Sequence, residues 1–224
     1  MPLNLETTMS LGFRIIRLIE NRLIASDCLL ETTIDVRPRK QGSRAKERIK
    51  AMRLWIDEFV DGSVAISVGQ GIDTSTIEQV SNNVLMCPDD PHDYLLLLLL
   101  HSKLSAIGED EVIVGSTKLV SDQGEGFTNH VEGTVEDWLP SMAEWIGPRH
   151  FHDHPWWARP DSSTMDLKPE DGDDLSDLPE LGYDLLAMVS VAQKTEAVAP
   201  ELQERTAEII KPVFKPRVIP GSDD

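Results

Sequence analysis

The chain has 224 residues, 40% of them hydrophobic and 27% charged, and its 39 acidic residues against 21 basic ones leave a net charge of −18. That is enough apolar material to bury one large core, or a core with an appendage. The acidic excess excludes a surface that binds nucleic acid or an anionic membrane as a whole, and leaves only local exceptions.

Two cysteines, Cys28 and Cys87, are too few for a disulfide scaffold. They fit a reducing, cytoplasmic or otherwise intracellular setting, a virion included. The opening "MPLNLETTMSLGFRII" carries an acid early and lacks a basic start before a long apolar run, so it does not read as a secretion signal.

In chain order, "LGFRIIRLIENRLI" places Leu11, Ile15, Leu18 and Ile19 at helical spacing with Arg14, Arg17 and Arg22 off the stripe, and predicts a helix. A short β-prone piece, "TTIDV", follows. "RPRKQGSR" reads as an exposed loop, with Ser43 as N-cap of a helix through Phe59 whose stripe is Ile49, Met52, Ile56 and Phe59. Val64, Ile66 and Val68 then alternate as in a half-buried strand. "TSTIEQVSNNVL" predicts a short helix.

Asp90 before Pro91 marks the start of the next helix, as capping residue and first-turn proline. This helix holds the run Leu95 through Leu100 and stops near Gly108. Apolar all round and far short of the ~20 residues that span a bilayer, it is expected to be buried on every side. "EVIVGSTKLV" and "GFTNHVEG" predict an antiparallel hairpin near 111–133. Thr134 and Asp137 resemble a capping box before "VEDWLPSMAEWIG", where Pro140 kinks the helix or delays its start. Residues 161–180 hold eight acids and one lysine with little that is apolar, a composition that reads as a linker or surface arm. Two helix candidates, "PELGYDLLAMVSVAQ" and "PELQERTAEII", close the chain.

The expected fold class is therefore α+β: a mostly helical body with one small antiparallel sheet over 1–157, an acidic linker over 158–177 and a helical C-terminal segment over 178–224.

"RHFHDHPWW" is the most conspicuous chemical candidate. In an extended backbone His150, His152 and His154 project from one face, and three imidazoles can hold zinc or manganese with a position left open for water. A metal-dependent hydrolase would use Asp153 or Asp161 to orient them or as base. The spacing matches neither the metallo-β-lactamase pattern, which needs one more residue before the aspartate, nor the His-Asp phosphohydrolase pattern, which Pro155 interrupts. The competing reading is a polar loop that leads into Trp156 and Trp157. No phosphate-binding glycine loop and no nucleophile signature is present, so catalysis is not the leading expectation and no cofactor is implied.

Charge segregation is less generic. Residues 37–53 carry eight basic residues (Arg37, Arg39, Lys40, Arg44, Lys46, Arg48, Lys50 and Arg53) and one acid, a net of +7 in a chain of −18, so the rest of the chain carries −25. This segment reads as a solvated helix face, as a nucleic-acid contact with steep salt dependence, or as a dock for the acidic arm of the same chain or a neighbouring copy. Trp156 and Trp157 would add an aromatic anchor if exposed, and core packing if not. The leading expectation is a non-enzymatic protein-binding or assembly subunit of a larger complex, for which a viral structural or accessory role is one fit. Its partner would be a protein or a second copy, with nucleic acid less favoured and no membrane. The metal-dependent hydrolase and the nucleic-acid-associated protein stand as alternatives.

Overall fold

A computed structural model describes residues 5–36, 44–68, 81, 83–124 and 127–166, all within the first of the chain's two units, Met1–Ser190. The expected cap Ser43, most of the helix at 74–85, the acidic stretch beyond Asp166 and both C-terminal helices lie outside the described residues.

β1 (Leu5–Ile19) and β2 (Arg22–Val36) form one long antiparallel hairpin, in register from Leu5 opposite Val36 to Ile19 opposite Arg22. Its turn is two residues, Glu20 and Asn21, at φ 49° and 60°, the left-handed pair that a type I′ turn requires. α1 (Ala45–Trp55) runs on into a π-helical turn, Ile56–Val60. β3 (Val64–Ser67) pairs in parallel with β1 at Ile16 and Arg17, and on its other side with β4 (Val84–Cys87). α2 (Asp93–Gly108) follows, then β5 (Val112–Ser121) and β6 (Thr128–Glu132), and last the single-turn α3 (Met142–Trp145). The six strands make one mixed sheet in the order β4-β3-β1-β2-β5-β6.

The expectation of a mostly helical body with one small sheet is therefore overturned. Residues 11–24, expected as a helix, are the end of one strand, a tight turn and the start of the next. The reason is arithmetic: Leu11, Ile15 and Ile19 recur every four residues, which satisfies a period of two as well as one near 3.6. Met9 and Phe13, which share that parity, are also buried and decide for the strand. Val84–Cys87, predicted to lie at the end of a helix, is β4. The hairpin near 111–133 is present, but as the edge of the larger sheet, with Gly115 bulged out between the pairs Thr33–Ser116 and Ile34–Val114. Over 135–147 the predicted helix is broken at Leu139-Pro140; a 3₁₀ turn precedes it, and α3 starts after it with a capping box made by Ser141 and Glu144 rather than Thr134 and Asp137.

One face of the sheet carries the core: Met9, Leu11, Phe13 and Ile15 from β1, Leu30 and Ile34 from β2 and Leu119 from β5 join α1 and α2 in a single apolar cluster. On the opposite face Arg14 and Asp27 pair in solvent across β1 and β2, while Leu18, Val64 and Ile66, with Ile16 and Val84, form a second, smaller apolar cluster around β3. β3 is buried along its whole length because both of its faces are covered, Ala65 by the main core and Val64 and Ile66 by the smaller cluster. α2 is buried at Leu96 through Leu104 without a break, because the sheet, α1 and the segment around Trp156 each cover part of it. Among the described residues no helix is long and apolar enough to cross a membrane. Cys28 and Cys87 are free thiols, both buried.

Candidate functional site

Two features of the described residues frame the sheet's edges: a strap that closes one of them, and an edge along which no described strand pairs. The strap is residues 155–166. Trp156 is wholly buried and its Nε1 donates to the carbonyl of Met86 in β4 at 2.8 Å, while Met86 N–H donates to the Thr164 carbonyl at 2.9 Å. The outer edge of β4 is thus capped by the strap's own polar groups, which is how native sheets blunt an edge.

A buried ion network holds the strap down. Asp166 accepts from Arg159 Nη1 at 2.5 Å, from Trp156 N–H at 2.8 Å and from Trp145 Nε1 at 3.1 Å. Lys103, inside α2, donates to the Trp156 carbonyl at 2.7 Å and to Asp161 at 3.1 Å, and lies beside the stacked Trp55 and Trp156 rings at 5.8 and 5.9 Å from their centroids. Burial pushes the Lys103 ammonium down to about 8, against the pull of Asp161. Burial alone would raise the Asp161 carboxyl; Lys103, Ser163 and Arg159 together outweigh it and hold Asp161 below its ordinary value. His101, one turn before Ser105, bridges Thr117 Oγ1 at 2.8 Å and the Gly133 carbonyl at 2.7 Å. Since a carbonyl only accepts, Nε2 carries the proton, and burial keeps the ring's pKa below its usual value.

The open edge belongs to β1. β3 covers β1 only at Ile16 and Arg17, and the turn before β3 covers Arg14, whose carbonyl accepts from Gly62 N–H at 2.7 Å. Along Leu5–Phe13, no strand pairs with that side among the described residues. Arg14 and Ile16 turn their backbone groups to this side, so Glu6, Thr8, Ser10 and Gly12, of the same parity, do so too. The stretch holds one charged residue, Glu6, and neither lysine nor proline.

The residues singled out in the sequence are scattered. Arg37, Arg39 and Lys40 lie outside the described residues. Arg44, Lys46 and Arg53 are exposed on or just before α1 and Lys50 is half-buried, whereas Arg48 turns inward to an ion pair with Glu109 at 2.5 Å. Trp156 and Trp157 are in the core, stacked with Trp55 and edge-on to Trp145, and offer no surface to a partner. His150, His152 and His154 lie in a bent segment rather than a strand, so alternation does not align them. No group of three or more His, Cys, Asp or Glu residues able to hold a metal occurs among the described residues. Asp153 is exposed, and Asp161 is committed to Lys103, Arg159 and Ser163.

Sequence reasoning missed Lys103, Arg159, Asp166 and the β1 edge. The signal for the edge was the uncharged run "TTMSLGF". The signal for Lys103 was a lone cation inside a helix apolar all round.

These features define a two-layer α+β protein, a six-stranded mixed sheet with helices on one face. No family model matches the sequence, and no curated protein matches it. Among solved structures, an uncharacterized protein from Wolinella succinogenes is similar at a TM-score of 0.40 and 13% identity, over 58% of this chain and 99% of that one. 6-Pyruvoyltetrahydropterin synthase from Plasmodium vivax is similar at a TM-score of 0.38 and 8% identity, over 59% and 99% of the two chains. The Plasmodium falciparum enzyme is similar at 0.38 and 8%, over 58% and 98%. Similarity at this level assigns neither a family nor an activity.

Proposed function

We propose that the protein is a non-enzymatic assembly subunit, and that it associates with a second copy of itself by strand pairing along the open edge of β1. The observation that carries this reading is the contrast between two edges of one sheet: β4 is capped by a strap locked with buried ion pairs, whereas along Leu5–Phe13 of β1, nearly uncharged and regular, no strand pairs on the outer side among the described residues. An exposed row of backbone donors and acceptors is a template for another strand. Two copies meeting antiparallel about a two-fold axis near Met9 would set Glu6 opposite Gly12 and Thr8 opposite Ser10, an isologous contact that closes on itself.

The free thiols Cys28 and Cys87 are consistent with action in a reducing compartment, and a structural or accessory subunit of a virus is one setting for such a protein. The exposed cations of α1 supply a second contact, toward an acidic partner. The acidic arm is a smaller resource for that contact than its composition suggests, because Asp161 and Asp166 are spent inside the strap.

Absolute mass in solution by light scattering, at low and high salt, tests the reading. Backbone pairing predicts an oligomer that persists in high salt, whereas an assembly held by α1 and the acidic arm would dissociate. Ser10→Pro removes one outward N–H without touching the β2 ladder and should reduce the mass to that of a monomer. A wild-type monomer at both salts would refute self-association.

A further inference from the structure

Where α2 begins, the β1–β2 hairpin extends past the helix and leaves a recess of about 530 Å³, which also borders the turn after β5 and the start of β6. Its volume is in the range of small-molecule sites. Arg17 forms the floor. It stands on the apolar face of β1 and is almost fully buried, paired through Nη1 with Asp93, which also accepts from Ser121 Oγ at 2.8 and 2.9 Å. Arg17 Nη2 donates to Cys28 Sγ at 3.3 Å, and Nε has no partner. The floor is therefore polar and rigid, and its charge is cancelled within the protein.

The walls differ from one another. Ile19 and Ile24 give an aliphatic side. Tyr94, 45% exposed, gives an aromatic side, and its ring is backed by Trp138, 60% exposed, with centroids 6.2 Å apart. Gln123 and Asn129 bring two amides to the rim. Two large exposed aromatics in contact beside a polar recess need a reason, because such surface is costly to leave in water.

Ligand classes can be eliminated in turn. An anion needs an uncompensated cation, and Arg17 is already neutralised by Asp93. A metal ion or an organic cation needs several free acidic or imidazole ligands; Glu20, His92 and Asp93 line the recess, but Asp93 is committed to Arg17 and Ser121, and no group able to hold a metal occurs among the described residues. A wholly apolar ligand offers nothing to the rim amides, of which Gln123 Nε2 makes only long contacts, at 3.4 Å, to the Ala25 carbonyl and Asp122. A flat aromatic ligand would meet one aromatic wall and one aliphatic wall rather than a sandwich. Hydroxyl groups, which both donate and accept, match amides and a carboxylate at once, and the C–H face of a saturated ring matches Ile19, Ile24 and Tyr94.

We infer that this recess binds a neutral pyranose sugar, with Gln123, Asn129 and Asp93 taking its hydroxyls and the Ile19–Ile24 and Tyr94 walls taking its ring. The inference is independent of the β1 edge.

The test is tryptophan fluorescence of the full chain titrated with methyl glycosides of glucose, galactose, mannose and N-acetylglucosamine, and with the corresponding free sugars. Trp138 is the exposed indole, the other four tryptophans being 8% exposed or less, so a ligand at Tyr94 reports through it. The expected result is a saturable change with one of these sugars. It should weaken about tenfold or more in Gln123→Ala/Asn129→Ala, the loss of about one good hydrogen bond's worth of affinity or more. Both substitutions are at the rim, and an unchanged thermal melt shows that the variant is folded; calorimetric titration supplies a second readout. Binding of a methyl glycoside identifies a glycan-linked sugar as the ligand form, and binding of the free sugar alone identifies a free monosaccharide. No saturable change with any sugar up to about 50 mM, well beyond the millimolar range of weak specific binding, overturns the inference. So does a change that persists undiminished in the double variant.

Discussion

Replacing Asp166 with alanine should destabilise the protein more than any surface substitution, and the structure says by how much. The carboxylate is completely buried and receives three donors, Arg159 Nη1, Trp156 N–H and Trp145 Nε1. Removing one partner of a buried ion pair costs about 3–5 kcal/mol, because the remaining charge is stranded. The two N–H groups left unpaired add to this at about 1–3 kcal/mol each where water cannot reach them. Arg159 retains Asp161 and the His154 carbonyl, which softens the first term. The expected loss is about 4 kcal/mol, which for a domain of this size lowers the melting temperature by about 8–16 °C. Asp166→Asn keeps an acceptor for the two tryptophan donors and should lose about half as much. Thermal unfolding followed by circular dichroism measures both. A shift under about 3 °C for Asp166→Ala would mean that the strap contributes less than 1 kcal/mol, and that the edge of β4 is not held closed in the way described.

Other outcomes follow from the same contacts. Lys103 titrates near 8 in the folded state against 10.5 unfolded, so between these values the unfolded chain binds more protons and stability rises with pH. Measured against Lys103→Met, which carries no such group, wild type should gain on the order of 3 kcal/mol between pH 7 and 11, and a flat difference across that window would contradict the buried ammonium. Replacing Glu20-Asn21 with Asn-Gly should stabilise the hairpin by about 0.5–1 kcal/mol in chemical denaturation, because glycine takes the left-handed conformation freely; destabilisation would mean that the turn is not type I′. Because His101 has a depressed pKa and must stay neutral to accept from Thr117, stability should fall as pH drops through 6.5, the unfolded value, and His101→Gln should flatten that part of the profile.

The parts of this fold that were legible in the sequence are those in which one local signal had no competitor. The leucine run of α2 is too uniformly apolar to be anything but interior, and Asp90-Pro91 comes within three residues of its start at Asp93. The β5–β6 pair has alternation at both strands and a glycine-containing turn between them. β1 was hidden because its apolar residues four apart fit two periods, and because Glu20-Asn21 lacks the glycine that announces a two-residue turn. Arg17 was taken for a polar position off a helical stripe; it is a cation on the buried face of a strand, and its partner Asp93 is 76 residues away, a pairing that no local pattern encodes. The same holds for Lys103 and Asp161, which are 58 residues apart. In the histidine cluster the alternate spacing does not define a shared face, because alternation has that meaning only in a strand and residues 151–154 are a succession of bends.

Amide hydrogen exchange at Thr8, Ser10 and Gly12, followed as a function of protein concentration, tests the central claim most directly. These amides point away from β2, to a side on which no described strand pairs with them, while those of Leu11 and Phe13 point into the β1–β2 ladder. Pairing of β1 with a second copy predicts that Thr8, Ser10 and Gly12 become protected as concentration rises, in step with the mass. Rapid exchange of all three at every concentration, with Leu11 and Phe13 protected throughout, would show that the edge stays open and that assembly does not run through β1.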